Sequence, residues 1–322
     1  MTAASPPVPV AQAPVGLAGR ARPYRTRAEN LRDGWRSFRT AARLGWMTES
    51  NWTDPVLFVI YSVAKPVASV LILIFMLEVI SGGNARPEFR AFVVVGSSLW
   101  SFVMGGVAGL AWSVLDDRER YRMLKYLYVS PNSLLIVLLG RGAARVAIAA
   151  SGAVITLVMG VLFLGVRFDP SVVDLPLLVI SMALGLTAIV ALGIVLAGVV
   201  MQTRQDSWSY PEAVAGGLFL IVGAIFPLSV LPAPAQALGL INPLTWWLEG
   251  VRHGLFPGSV SGVGGPGSLW LSVTGTPVPG TAALILALLG TTVVATLAAV
   301  AAYRWSEHRA KERGLFDQTT GS

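Results

Sequence analysis

The sequence predicts an all-α membrane protein with six transmembrane helices. Of its 322 residues 54% are apolar and only 13% are charged, whereas soluble domains carry roughly 25% charged residues. The apolar residues form six long stretches, and a helix needs roughly 20 such residues to cross the hydrocarbon core. The basic residues lie mostly at the ends of these stretches. A soluble globular protein is therefore excluded.

The chain begins with two segments that precede the first apolar stretch. Residues 1–24 are rich in Pro and Ala and lack an apolar period, which predicts a disordered tail. In residues 25–54, arginines such as Arg32 and Arg36 alternate at helical spacing with aromatic residues such as Trp35. This pattern predicts an amphipathic helix in the lipid headgroup layer, with an ordinary cytosolic helix as the alternative.

The transmembrane domain is predicted to cover residues 55–305, and a cytosolic tail covers 306–322. Its six predicted spans run approximately over residues 55–80, 89–115, 143–166, 173–201, 208–231 and 281–303. Between the fifth and sixth spans, residues 232–280 are half apolar and interrupted by Pro and Gly. This composition predicts short re-entrant or interfacial outer-leaflet helices and no further crossing.

The distribution of basic residues predicts the orientation. If the N-terminus is cytosolic, 19 of the 24 Lys and Arg residues lie on the cytosolic side, four lie on the other side, and Lys65 lies within the first span. The positive-inside rule then places both termini in the cytosol. Because these residues flank membrane segments, they account for the net charge of +7 without nucleic acid as a partner.

The composition also excludes several kinds of enzyme site. The chain has no cysteine and only two histidines, so thiolate nucleophiles, cysteine zinc sites and histidine metal cages are not expected. None of its three lysines follows a glycine, so the phosphate-binding motif G-x-x-x-x-G-K-[ST] is absent. We therefore expect no catalytic residue, metal or cofactor on this chain, and any energy from ATP must come from a partner.

Residues 116–131, DDRERYRMLKYLYVSP, are the densest charge cluster of the chain. Charged residues alternate here with Tyr, Met and Leu, which predicts a short helix with a charged rim around an aromatic and aliphatic knob. Such a helix would dock a soluble partner, whereas the alternative is a basic loop that only obeys the topology rule. The candidate docking residues are Asp117, Arg118, Glu119, Arg120, Tyr121, Met123, Leu124, Tyr128, Ser130 and Pro131.

Two further motifs follow the fifth predicted span. The first reads F-P-L-S-V-L-P and includes Phe226, Pro227 and Pro232; the second reads N-P-L-T and includes Asn242, Pro243, Glu249 and Arg252. Together with the segment from Asp117 to Pro131, they resemble the permease subunit of ATP-binding-cassette type-2 exporters over roughly residues 30–315. The docking segment departs from that family at Tyr121-Arg122, where Gly-Thr is usual.

The resemblance implies a function and a set of partners. Residues 116–131 would be the coupling helix, which sits in a groove of a separate ATPase subunit, and residues 25–54 would be the interface helix. Two ATPases, which bind ATP and Mg, would drive two permeases, formed by two copies of this chain or by this chain and a sister. The complex would export a drug, antibiotic or lipid-like molecule, or alternatively a lipid-linked glycan, across the plasma membrane of a prokaryote.

Some polar and aromatic residues within the apolar segments are candidates for a pathway, because charge inside a membrane is costly and aromatic rings can stack on a cargo. Glu249 and Arg252 are expected to pair with each other or to meet lipid headgroups. Ordinary lipid-facing placement is the alternative for the aromatic residues. The pathway candidates are Tyr61, Lys65, Trp100, Phe102, Trp112 and Phe219.

Two functions of other classes remain as alternatives. A secondary transporter or channel would need ion-binding charge within the spans and a matched pair of interrupted helices, but the sequence predicts one broken region. A membrane-embedded transferase would need a charged cluster at one leaflet, for which only Glu249, Arg252 and His253 come close.

Overall fold

A computed structural model describes residues 27–50, 55–129, 133–163, 165–166, 168–203 and 208–312. Some side chains within these ranges are also outside the description, among them those of Tyr61, Lys65 and Tyr128, and so are Ser130 and Pro131 altogether. Throughout the described ranges the secondary structure is helical and contains no strand.

Eleven helices cover most of this part of the chain, and two single-turn 3-10 helices lie at Pro170–Val172 and Leu228–Val230. Four of them, α3, α5, α6 and α11, are long and apolar enough to cross a membrane, which agrees with the predicted all-helical membrane fold. The helices are α1 (Arg27–Ser50), α2 (Pro55–Ile80), α3 (Pro87–Arg120), α4 (Leu124–Val129), α5 (Leu134–Phe163), α6 (Leu175–Gln202), α7 (Ser209–Ile221), α8 (Ala233–Ile241), α9 (Pro243–Leu255), α10 (Leu269–Thr274) and α11 (Thr281–Glu312).

Several helix boundaries differ from the predicted spans. Helix α3 continues to Arg120, and α5 begins at Leu134, so the second and third predicted spans are extended and Asp116–Arg120 belong to the end of α3 and not to a separate docking helix. These charged residues are tolerated there because acidic residues of α3 pair with arginines of α5. Helix α7 has only 13 residues, about 20 Å, which is shorter than the roughly 30 Å hydrocarbon core.

Helices α3 and α6 form the centre of the packing, and the short helix α9 packs against both. Phe102 and Leu110 of α3, Ile189 of α6 and Trp247 of α9 belong to one buried cluster. The two long helices approach closely because their contact is lined by glycines such as Gly193. A Cβ atom at this position would lie 2.7 Å from the Gly106 carbonyl oxygen, so small residues set this contact.

The start of α9 follows from its N-P-L-T sequence. The Asn242 side-chain oxygen accepts a hydrogen bond from the Leu244 N–H at 2.9 Å, and Pro243 occupies the first helical position. Asn is a favoured N-cap and Pro a favoured first residue. Nearly every residue of α9 is buried, so this helix and its polar residues lie in the interior of the protein.

Helix α1 packs along α5, where Gly140 allows close contact with Phe38 and Ala41. Its other side leaves apolar residues such as Leu31 and Trp35 exposed. One apolar side of α1 is therefore covered by α5 and another is open to the surroundings, and its predicted place in the headgroup layer stays a prediction.

Candidate functional site

The predicted docking segment begins at the carboxyl end of α3, which closes in a wide π turn at Asp116–Arg120. Because the sequence predicts this end to be cytosolic, it is called the inner end below. The Tyr121 N–H donates to the Asp116 carbonyl, and the Met123 N–H donates to the Asp117 carbonyl, both at 2.8 Å. Arg122 then takes a φ of 51°, in the left-handed region that few residues other than glycine adopt. The chain thereby leaves the axis of α3 and enters α4.

The acidic residues of this segment pair with other helices. Asp117 is fully buried and forms an ion pair with Arg141 of α5. Asp116 pairs with Arg145 of α5 at 2.8 Å, and Arg145 also pairs with Glu49 of α1 at 2.6 Å. The inner ends of α1, α3 and α5 are therefore joined by a network of charged hydrogen bonds.

Arg118 and Glu119 face the connection between α6 and α7. The buried Arg118 guanidinium donates to the carbonyl oxygens of Val200 at 3.2 Å and Thr203 at 3.0 Å. It also donates at 2.8 Å to Glu119, whose second oxygen accepts from the Trp208 indole N–H at 2.9 Å. The sequence analysis placed Asp117 and Arg118 on an exposed charged rim. The structure corrects this prediction, because both side chains are buried within the protein.

The exposed part of the segment is smaller and more aromatic than predicted. Tyr121 is 40% exposed and Tyr126 of α4 is 69% exposed, and the Arg120 guanidinium carbon lies 5.6 Å from the centroid of the Tyr121 ring. Met123 is half-buried and Leu124 is buried. Arg120, Tyr121, Arg122 and Tyr126 are thus the exposed described residues that could meet a partner here, and a docking role for them stays a prediction.

A cavity of about 350 Å³ lies between α1, α2, α3 and α5. Residues of α3 from Ser97 to Trp112 line it, over a length of about 22 Å at 1.5 Å per residue. Glu49 and Arg145 lie at its inner end. Below, this space is called the α3 groove. Its lining includes Glu49, Ser69, Ser97, Trp100, Ser101, Met104, Trp112, Arg145 and Ile148.

The structure separates the aromatic pathway candidates. Trp100 and Trp112 line the α3 groove, and Phe219 of α7 contacts Trp100 with ring centroids 4.6 Å apart. Phe102 instead is buried in the core, edge-on to Trp247 at 6.2 Å, so its placement on a pathway is corrected. Tyr61 and Lys65 fall on α2, and their side chains lie outside the described residues.

At the opposite end of the molecule, Glu249 and Arg252 hold two separate turns. The buried Glu249 carboxylate accepts from the Ser261 hydroxyl and, at 2.7 Å, from the Gly262 N–H. Arg252 donates to the carbonyl oxygens of Gly223 at 2.9 Å and Ala224 at 2.7 Å. The sequence analysis expected Glu249 and Arg252 to pair with each other or to contact lipid headgroups. The structure corrects this expectation, because both side chains are buried and form hydrogen bonds with backbone groups. Below, they are called the outer clamp.

The outer clamp explains why the chain can turn sharply after α7. Gly223 has a φ of 72°, and the turn frees carbonyl groups that would be costly to bury without donors. Arg252 supplies those donors, and its guanidinium carbon stacks 3.6 Å from the centroid of the Phe92 ring of α3. Leu228, in the turn after Pro227, donates its N–H to the Gly262 carbonyl at 2.7 Å, so both motifs after α7 meet at one loop.

Phe226 and Pro232 frame this turn, and Pro232 immediately precedes α8. Gln236 of α8, which the sequence analysis missed, donates to the carbonyls of Leu231 at 2.8 Å and Gly267 at 3.2 Å. It also accepts from the Leu269 N–H at 2.6 Å. Nothing in its local sequence distinguishes Gln236 from a surface glutamine, because its partners lie up to 33 residues away.

The described residues contain no group of three or more His, Asp or Glu that could hold a metal ion. The charged groups near the α3 groove and in the outer clamp are engaged with each other or with backbone.

Comparison with known proteins gives one finding. A sequence model of the family described as ABC-2 type transporter matches residues 39–256. The match extends from α1 through α9 and includes the inner end of α3, the α3 groove and both motifs that follow α7. No curated protein matches the sequence.

Proposed function

The chain belongs to the ABC-2 type transporter family, and from that membership we propose that it is the permease subunit of an exporter. It moves an amphipathic molecule outward across the plasma membrane of a prokaryote, driven by ATP hydrolysis on two copies of a separate ATPase subunit. A second permease, either another copy or a sister chain, completes the complex. The permease crosses the membrane six times and has both termini in the cytosol.

The six crossings are α2, α3, α5, α6, α7 with the turn that follows it, and α11. Helix α2 has 26 residues, which suffices for a crossing by length. Helix α7 is short, and the turn held by the outer clamp extends it toward the outer surface. The predicted excess of Lys and Arg on one side supports this orientation.

The observation that carries the proposal is the family match together with the exposed aromatic residues at the inner end of α3. Tyr121, whose ring lies 5.6 Å from the Arg120 guanidinium carbon, and Tyr126 are both left exposed by the other described residues. Exposed Tyr next to Arg is typical of the residues that dominate binding energy in protein interfaces. We place the ATPase on these exposed residues, called the tyrosine surface below.

The first experiment is a pull-down of the tagged chain from gently solubilised native membranes. We expect recovery of a soluble subunit with the phosphate-binding motif and ATPase activity in the eluate. Tyr126→Asp and Tyr121→Asp should each lower that recovery about 30-fold, because a central interface residue contributes roughly 2 kcal/mol or more. Elution of the permease itself in size-exclusion chromatography should not change.

Trp305→Asp is the matched control, because Trp305 is also an exposed aromatic residue but lies on another helix, α11. Its ATPase recovery should equal that of the unaltered chain. Equal recovery for all three variants would contradict docking on the tyrosine surface. A chain recovered alone in several detergents would instead favour the alternative function, a secondary transporter or channel.

The α3 groove supports an amphipathic small molecule as the cargo. Its volume of about 350 Å³ lies within the range of small-molecule sites, roughly 300–1,000 Å³. Two indole rings offer faces for stacking. The Ser97 hydroxyl donates to the Val93 carbonyl at 2.6 Å, which leaves its oxygen able to accept hydrogen bonds from a ligand. A lipid-linked glycan, the alternative cargo, would need a longer polar track.

Trp100→Ala tests the groove as a cargo site. Stacking on an indole contributes about 1 kcal/mol beyond the buried area, so the variant should need at least about fivefold more of an aromatic amphiphile to stimulate the ATPase half-maximally. Rhodamine 6G is a suitable first probe for the purified complex. Trp305→Ala should leave the half-maximal concentration unchanged. The groove would lose its role if Trp100→Ala and the unaltered complex responded identically to a stimulating probe.

A further inference from the structure

At the inner end of the molecule, α3 reaches the residue before α7 through a hydrogen bond. Glu119, two residues before the chain leaves α3, accepts at 2.9 Å from the indole N–H of Trp208. Trp208 immediately precedes α7. The two residues are 89 positions apart in the sequence, so this contact exists only in the folded chain.

The π turn directs both charged residues of α3 toward the same place. Arg118 donates to the carbonyls of Val200 and Thr203 at the carboxyl end of α6, where helices present unpaired acceptors and a partial negative charge. Glu119 accepts from Arg118 at 2.8 Å through one oxygen and from Trp208 through the other. The end of α6 and the start of α7 are therefore both held by consecutive residues of α3.

Helix α7 is otherwise held less firmly than the long helices. It packs chiefly against the middle of α3 and against α8, and a Cβ atom at Gly216 or Gly217 would meet nothing within 4 Å. Elements with few buried contacts move at lower free-energy cost than the core. The inner end of α7 can thus follow the Glu119 carboxylate when α3 moves.

Helix α7 also reaches the α3 groove. Phe219, about three turns beyond Trp208, contacts Trp100 on the groove wall. The tyrosine surface starts two residues after Glu119, at Tyr121. The Glu119–Trp208 hydrogen bond therefore joins the tyrosine surface to α7, which borders the groove.

We propose that the Glu119–Trp208 hydrogen bond is the link that passes movement of the ATPase-docking segment to α7. Glu119 and Trp208 are positioning residues, since neither lines the groove. The inference rests on the proposed function, because it requires an ATPase on the tyrosine surface. The link requires the N–H donor of Trp208, and an aromatic ring of similar size without this donor does not transmit the movement.

Two substitutions of Trp208 separate the donor from the bulk. Trp208→Phe keeps a large aromatic ring and removes the N–H, whereas Trp208→His keeps an N–H at the corresponding ring position and removes the second ring. Trp208 is 45% exposed, so neither change opens a core cavity. Glu119→Gln, which removes the charge and keeps the shape, is the variant on the other side of the bond.

The movement is measured in the full complex of permease and ATPase. The chain has no cysteine, so Tyr210→Cys on α7 and His308→Cys on α11 give two defined spin-label positions. Electron–electron resonance then records the distance between them before and after trapping with ATP and vanadate. Trp305→Phe is the control, because it makes the same side-chain change away from the link.

We expect trapping to shift the distance in the unaltered chain, in Trp208→His and in Trp305→Phe. In Trp208→Phe the shifted population should fall about tenfold, as expected for a hydrogen bond to a charged group, while ATPase binding and hydrolysis persist. Glu119→Gln, whose amide oxygen can still accept from Trp208, should lower the shifted population by a smaller factor. A full shift in Trp208→Phe would overturn the link. So would equal losses in the Phe and His variants, which would point to bulk alone, or an absent shift in the unaltered complex despite hydrolysis.

Failure of the proposed function is distinguishable from failure of the link. If no ATPase is recovered with the unaltered chain, the proposed function fails and the coupling role fails with it. If the ATPase binds and hydrolyses ATP normally but α7 does not respond to the substitutions as expected, only the link is overturned.

Discussion

Arg252→Met is expected to be among the most damaging single changes in this protein. The substitution keeps much of the side-chain length but removes the donors to the Gly223 and Ala224 carbonyls. It also leaves the buried Glu249 carboxylate without a nearby cation. Breaking a buried charged arrangement in this way costs about 3–5 kcal/mol, so we expect a large loss of monodisperse protein and of melting temperature in detergent.

Two companion variants make this result specific. His253→Gln changes the residue whose ring nitrogen lies 3.7 Å from the Glu249 carboxylate; because the glutamine amide can still donate a hydrogen bond there, this variant should lower the melting temperature much less than Arg252→Met. The double variant Arg252→Met with Glu249→Gln should be less damaged than the sum of its two single changes, because it removes both buried charges together. A fully stable Arg252→Met protein would contradict the outer clamp.

Gly96→Ala is expected to have the second large effect. A Cβ atom at Gly96 of α3 would overlap the Ala224 carbonyl oxygen and the Arg252 guanidinium. The backbone at Ala224 cannot move away without breaking its hydrogen bond to Arg252. We therefore expect a loss at the upper end of the roughly 1–3 kcal/mol typical of overpacking.

Gly290→Ala on α11 is the matched control, because a Cβ atom there would meet nothing within 4 Å. Alanine stabilises helices by up to about 1 kcal/mol relative to glycine, so this variant should be as stable as the unaltered chain or slightly more stable. Thermal unfolding followed by size-exclusion chromatography in detergent compares the two. Equal melting temperatures for Gly96→Ala and Gly290→Ala would contradict the close packing at Gly96.

These two sites and the inner link describe a helix, α7, whose ends are held differently. Its outer turn is fixed by buried contacts with Arg252, which also stacks on Phe92 of α3. Its inner end depends on the Trp208 N–H and the Glu119 carboxylate. In an exporter of the proposed kind, this difference would let the inner end respond to the ATPase while the outer turn stays in place.

The overall class and several local features could be predicted without the fold. Long apolar stretches predicted the four long helices, since composition and length decide whether a helix can cross a membrane. The alternation of arginines and aromatic residues predicted the amphipathic α1. Asn242-Pro243, used in the sequence analysis only as part of a motif, is also a local signal for the start of α9, because an N-cap and a first-turn proline act on backbone groups only two or three residues away.

The partners of the charged residues could not be predicted in this way. From sequence, Asp117 and Arg118 belonged to an exposed rim, and Glu249 and Arg252 were expected to pair with each other or with lipid. In the structure Asp117 pairs with Arg141, 24 positions away, and Arg252 binds carbonyls 28 and 29 positions away. Helical spacing predicts contacts three or four residues apart, so it could not identify these partners.

The sequence alone therefore determined that this is a membrane protein, that its fold is helical and which family it resembles. The apolar composition indicates a membrane environment. Helices are favoured there because a helix satisfies its backbone hydrogen bonds within its own segment. The tertiary structure decided which charges are buried, which aromatic residues line the α3 groove and which single hydrogen bond joins Glu119 to Trp208. These features depend on long-range packing between α3, α5, α6, α7 and α9, because a buried charge is stable only where distant parts of the chain bring its partner within hydrogen-bonding distance.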